Sequence, residues 1–117
     1  SAQSYALRHN VLEADGLRAD PRVFEVHPEL AFRAMAGRVL LTGKRSWNGA
    51  CERRDLLAAE GLEIPSALDD AGAVPVDDVL DAAAAAWSAR RIARREADRV
   101  PHAPELDEHG RAVAIWY

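Results

Sequence analysis

Apolar positions recur at near-helical spacing in four stretches of the 117-residue chain and at strand spacing in two others. Tyr5, Leu7, Val11 and Leu12 predict a helix over residues 1–15, with Ser1 or Ser4 as its cap and Gly16 as its end. Leu30, Phe32, Met35 and Ala36 predict a short helix that stops at Gly37, and Pro28 sits where a first helical turn tolerates proline. Trp47, Cys51, Leu56 and Leu57 mark a third helix over residues 47–60, capped by Ser46 and broken by Gly61. The longest helix runs from Asp77 to about Val100. Residues 22–26 follow Pro21 as a short β-type run, and Ala112 to Tyr117 predicts a closing strand. Residues 38–46, 62–75 and 101–110 are expected to be connectors.

This inventory is short of strands. A lone strand cannot satisfy its own backbone groups. The expectation is therefore a single helix-rich α/β domain whose other strands come from a missing segment, a second chain or a symmetry mate. Exposed sheet edges would then favour a homo-oligomer. Hydrophobic residues make up 49% of the chain and aromatics only 6%, with alanine prominent, so the core is expected to pack on small side chains. In the last helix Ala82, Ala86, Ala89 and Ala93 form a small-residue ridge suited to close packing, flanked by Leu80, Ala84 and Trp87.

Charge and cysteine content narrow the classes. A net charge of −4 argues against a dominant sequence-independent grip on nucleic acid, although a local basic stripe could still touch phosphates. Arg90, Arg91, Arg94 and Arg95 cluster at a helix end, where they suit the macrodipole or a phosphate stripe. The single Cys51 excludes an internal disulfide framework and a cysteine-based zinc site, and it fits a reducing compartment. No apolar run approaches the ~20 residues of a membrane span, and residues 1–4 show no secretory signal pattern. A cytoplasmic location is the resulting expectation.

Two acidic segments carry candidate chemistry. Glu25-Val26-His27-Pro28-Glu29 crowds two carboxylates and an imidazole at a strand end, where α/β folds tend to work. Alternation places Glu25 beside Val23, and a partly buried carboxylate there needs a partner or a metal. His27 could be a ligand, a proton shuttle or a hydrogen-bonded structural residue. Glu29 falls in a first helical turn, which favours acid in any case. Asp77-Asp78-Val79-Leu80-Asp81 opens the long helix. Asp77 and Asp81, or Asp78 and Asp81, share a helix face and could jointly hold a hard divalent cation. Capping by Asp77 or Asp78 is the alternative, but Asp81 lies deeper than a cap should. Lys44, after Gly43, could meet a phosphate or simply be exposed.

These motifs in this order are Ser-Ala-Gln-Ser-Tyr-Ala-Leu-Arg (1–8), Glu-Val-His-Pro-Glu-Leu-Ala-Phe (25–32), Gly-Lys-Arg with a downstream Glu-Arg-Arg and Leu-Leu (43–57), Asp-Asp-Val-Leu-Asp-Ala (77–82) and Ala-Ile-Trp-Tyr (114–117). Together they resemble the DUF429 family, predicted nucleases with an RNase H-like fold, over essentially the whole chain. The resemblance implies a two-metal hydrolase in which carboxylates hold two Mg²⁺ or Mn²⁺ ions ~3.5–4 Å apart, activating water against a phosphodiester. It assigns catalytic positions to Glu25, His27, Asp78 and Asp81, and metal positions to Glu25, Asp77, Asp78 and Asp81. Glu29 and Lys44 would be substrate contacts. Family members are about twice this long, so the chain corresponds to their C-terminal half, without the aspartate-bearing first strand. Nucleic acid, and a missing N-terminal half or second chain, are the implied partners, and this fragment alone is expected to be inactive. The competing class is a non-catalytic interaction module with structural carboxylates, using Trp87 and Trp116 at an interface.

Overall fold

The computed structural model describes Tyr5 and residues 7–117. Helix α1 spans Arg8–Leu17, α2 Pro28–Ala36, α3 Trp47–Ala59 and α4 Val76–Arg94. Strand β1 is Arg99–Val100 and strand β2 is Ile115–Trp116. A 3₁₀ turn, Asp69–Ala73, interrupts the connector before α4. The described residues are thus helix-rich with a small antiparallel sheet, in keeping with the α/β expectation. None of their helices is long and apolar enough to cross a membrane.

The core lies among α2, α3 and α4. Ala31 and Phe32 of α2, Leu57 of α3, and Leu80, Ala84 and Trp87 of α4 are buried together. Met35, Leu40, Leu56, Ile64 and Tyr117 pack around them. Trp87 is the largest member, and its indole N–H donates to Glu60 Oε2 at 2.9 Å, so the polar edge of the ring is satisfied at the core margin. The packed stripe of α4 runs through Asp77, Leu80, Ala84, Trp87 and Ser88. Ala82, Ala86, Ala89 and Ala93 are exposed, so the alanine ridge faces away from the core. The reason is the size of Leu80 and Trp87: turning those larger apolar groups inward buries more surface than turning alanines inward.

Element ends differ from the pattern-based expectation for local reasons. Helix α1 continues past Gly16, which does not take a positive φ, and no residue of α1 is buried. The expected helix start at residues 1–4 lies outside the described residues. Helix α4 ends at Arg94 rather than near Val100. Arg95 adopts φ 60°, its N–H reaches the Ile92 carbonyl, and the Glu96 N–H reaches that of Arg91. This left-handed cap closes the helix without glycine. The released residues 99–100 then pair with 115–116, Arg99 opposite Trp116 and Val100 opposite Ile115.

The expected strand at 22–26 shortens to one parallel bridge between Val26 and Trp116. Asp20 accepts from the Arg22 backbone N–H, and the Val23 N–H reaches the Asp20 carbonyl, which turns the chain where a strand would have begun. The Trp116 N–H donates to the Glu25 carbonyl at 2.8 Å, and the Phe24 ring meets Trp116 edge-on at 5.5 Å. The C-terminal segment therefore joins β1 on one side to residues 24–26 on the other.

At the start of α3, a Cβ added to Gly49 would stand 1.9 Å from the Gly43 carbonyl oxygen. Backbone meets backbone there, so the loop before α3 cannot yield locally. Gly49→Ala is expected to destabilise the fold at the upper end of the ~1–3 kcal/mol typical of overpacking, read as a drop in the urea midpoint at unchanged slope.

Candidate functional site

Lys44 is carried by a loop held at both ends. Ser46 caps α3: its Oγ accepts from the Gly49 N–H at 3.0 Å and donates to the Gly43 carbonyl at 2.7 Å. Upstream, the Thr42 hydroxyl donates to Glu52, which also takes a 2.5 Å bond from Arg38. Those two donors hold the Glu52 carboxyl below its usual range, Thr42 contributing most.

Arg53 ties this loop to α2. It is 2% exposed, and its Nε and Nη2 donate to the two carboxylate oxygens of Glu29 at 2.9 and 2.6 Å. Its Nη1 donates to the carbonyls of Thr42 and Gly49. The guanidinium also lies 5.5 Å from the centre of the Phe32 ring. Arg53 thus joins the first turn of α2, the connector and α3. Its bidentate bond pulls the Glu29 carboxyl below the ordinary range, and Lys44 and His27 add to the effect.

The same loop aims Lys44 at α4. Its ammonium lies 2.6 Å from Asp81 Oδ2 and 3.9 Å from Asp77 Oδ2. Arg45 Nε reaches Asp77 Oδ2 at 3.2 Å. Asp77 is 6% exposed; burial pushes its carboxyl up, but bonds from Arg45 and its own backbone N–H, with the charges of Arg45 and Lys44, outweigh that and hold it low. The bond to Asp81 raises Lys44 above the ordinary lysine value, with Asp77 and Glu29 contributing. Asp81 Oδ1 is buried with no hydrogen-bond partner among the described residues.

The structure thus gathers Glu29, Lys44, Asp77 and Asp81 from three segments. Glu25, His27 and Asp78 are placed otherwise. Glu25 is exposed, not partly buried beside an apolar neighbour; the strand needed to bury it does not form, and Val23 is itself exposed. His27 is exposed at the N-cap of α2, its carbonyl taking the Leu30 and Ala31 N–H groups. It shares with Glu29 a groove of about 390 Å³ lined also by Arg33, Leu30, Leu40 and Ile115. Asp78 is exposed and forms no ion pair among the described residues. Pro75 occupies the N-cap position of α4 without a side-chain bond, so none of these aspartates caps it.

A metal fits only in part. Among the described residues, no three side chains of ligating type converge. Asp77 and Asp81, at i and i+4 on one face, do share a cation, the Lys44 ammonium, and Asp81 retains one unused buried oxygen. Two carboxylates completed by water or phosphate oxygens are an ordinary Mg²⁺ set.

The family model described as "Protein of unknown function (DUF429)" matches residues 1–106. The chain belongs to the DUF429 family. No curated protein and no solved structure matches it.

For this DUF429 chain, pattern reading passed over Arg53 and Arg45. Arg53 did carry a signal. It falls on the same helical face as Gly49, Ala50 and Leu57, where a solvated arginine is out of place. Arg45 carried none, since an exposed arginine in a polar turn is ordinary.

The Glu29 carboxyl titrates below its ordinary value of 4.5, so its contribution to stability is complete above that pH and lost as pH falls through the depressed value. Glu29→Gln is expected to cost roughly 1 kcal/mol at neutral pH, held down by the 39% exposure of Glu29. The gap to wild type should close in acid, as read by urea unfolding across pH. Lys44 has the opposite sign: its contribution is complete below its ordinary 10.5 and lost as pH rises through the raised value.

Proposed function

We propose that this chain supplies the carboxylate-bearing part of a metal-dependent phosphodiester hydrolase of the RNase H-like type, a nuclease using Mg²⁺ or Mn²⁺. The observation that carries the reading is the cation seat at the start of α4: Asp77 and Asp81 share the Lys44 charge, and Asp81 Oδ1 is buried and unbonded. A buried acceptor without a partner is costly, and a cation is the group that would satisfy it.

In this reading Asp77 and Asp81 hold the metal. Glu25 and Asp78, exposed and outside the cluster, become peripheral, and His27 and Glu29 line the neighbouring groove on the substrate side. Bound there, the metal would supply activation of water and stabilisation of the leaving oxygen. The chain's own residues do the positioning. Arg53 fixes Glu29 through two bonds, and the Ser46 and Gly49 contacts set the loop from which Lys44 can face a phosphate oxygen.

The remaining ligands come from outside this chain, because no three converge among the described residues. The surface supports this. An accessible area of 8577 Å² is about a third more than the ~6,300 Å² of a compact monomer of this mass. Leu41 and Trp47, beside the lysine loop, are 92% and 81% exposed. Surface of that kind suits a second segment completing the sheet and the site.

The second reading is an interaction module with structural carboxylates. Its support is that Glu29, Asp77 and Asp81 each already have a cationic partner. Calorimetric titration with Mn²⁺ and Mg²⁺ separates the two. The hydrolase reading expects binding that weakens at least about tenfold in Asp77→Asn and Asp81→Asn and is little changed in Asp78→Asn. Absence of binding in the wild-type chain leaves the module. The isolated chain is expected to show no turnover in a metal-dependent nuclease assay.

A further inference from the structure

Lys44 occupies the place between Asp77 and Asp81 that a metal would need. We propose that Lys44 is a built-in competitor for this seat, holding the carboxylates in register while no divalent cation is bound and setting the concentration at which one displaces it. The inference rests on the reading that Asp77 and Asp81 hold a divalent cation, and it adds the regulation of that site.

Charge balance is the first argument. Two carboxylates facing Lys44 and Arg45 sum to no net charge, so the seat exerts little long-range pull on a cation. Without Lys44 the same seat is negative. Geometry is the second. The ammonium touches only one oxygen of Asp81, at 2.6 Å, and leaves Oδ1 unbonded, so the lysine satisfies the carboxylate incompletely. A divalent ion, with more charge and more coordination positions, is the better partner.

Mobility is the third argument. The Lys44 side chain is 36% exposed, and it can swing towards solvent without disturbing the core. The backbone beneath it is pinned by the Ser46, Gly43 and Gly49 contacts, so the exchange needs only the flexible four-carbon stem. Glu29, which also feels the Lys44 charge, offers the displaced ammonium a second carboxylate on the same side of the loop. Arg45 stays on Asp77 and keeps that carboxylate oriented.

The test is calorimetric titration of the full chain with Mn²⁺. Lys44→Gln is expected to bind about tenfold more tightly than wild type, and Lys44→Arg, which keeps the charge, no more tightly than wild type. If wild type binds and Lys44→Gln binds equally or more weakly, the competitor role is overturned while the metal reading stands. If neither binds, both fall. Should Lys44→Gln fail to fold, the Lys44 Nζ resonance of wild type is followed during Mg²⁺ titration. Movement in step with saturation supports the exchange, and a signal unmoved at saturation overturns it.

Discussion

The Arg53 guanidinium is always charged and almost wholly buried, so each of its donors must meet an acceptor inside the protein. Those acceptors are the Glu29 carboxylate on α2, the Thr42 carbonyl in the connector and the Gly49 carbonyl within α3. A rigid planar fork tolerates little error in their positions. The first turn of α2 and the loop that carries Lys44 are therefore set relative to α3 by one side chain. The apolar contacts among Phe32, Leu57 and Trp87 hold the three helices together, but they are non-directional and would permit small slides.

From that constraint the charged layer follows. Once Thr42 and Gly49 are placed, the close approach of Gly43 to Gly49 leaves Lys44 only one direction, towards the start of α4. Asp77 and Asp81 meet it there. The result is a row of alternating charge, Glu29, Lys44, Asp81 and Asp77, bounded by Arg53 and Arg45. Such a row is stable without a metal, because each carboxylate has a cation. It is also convertible, because Asp81 Oδ1 remains unsatisfied. Structural pairing and metal binding are thus two states available to one set of side chains.

Helix existence was readable along the chain, and the family was readable from the motifs that PF-type matching places over residues 1–106. The cap at Ser46 and the stop at Gly37 were legible because capping is local chemistry between neighbours. The acidic start of α4 was legible as a face, since i and i+4 spacing defines one. Which of its members turn inward was not. Asp77 and Asp81 converge and Asp78 points to solvent because α4 buries Leu80, Ala84 and Trp87, and that rotation is decided by packing against α2 and α3.

By itself, then, the order of residues determined the helical segments, most of their caps, the family and the supply of acidic groups, all properties governed by contacts within a few positions. Only the tertiary structure decided that the remote partner of Asp81 is Lys44 rather than Glu25, and that Arg53 is a buried tie. It also decided that residues 22–26 join the sheet through Val26 alone and that the alanine ridge faces outward. Each of those outcomes depends on which surfaces the helices bury against one another. That is a sum over the whole core, and no local spacing encodes it.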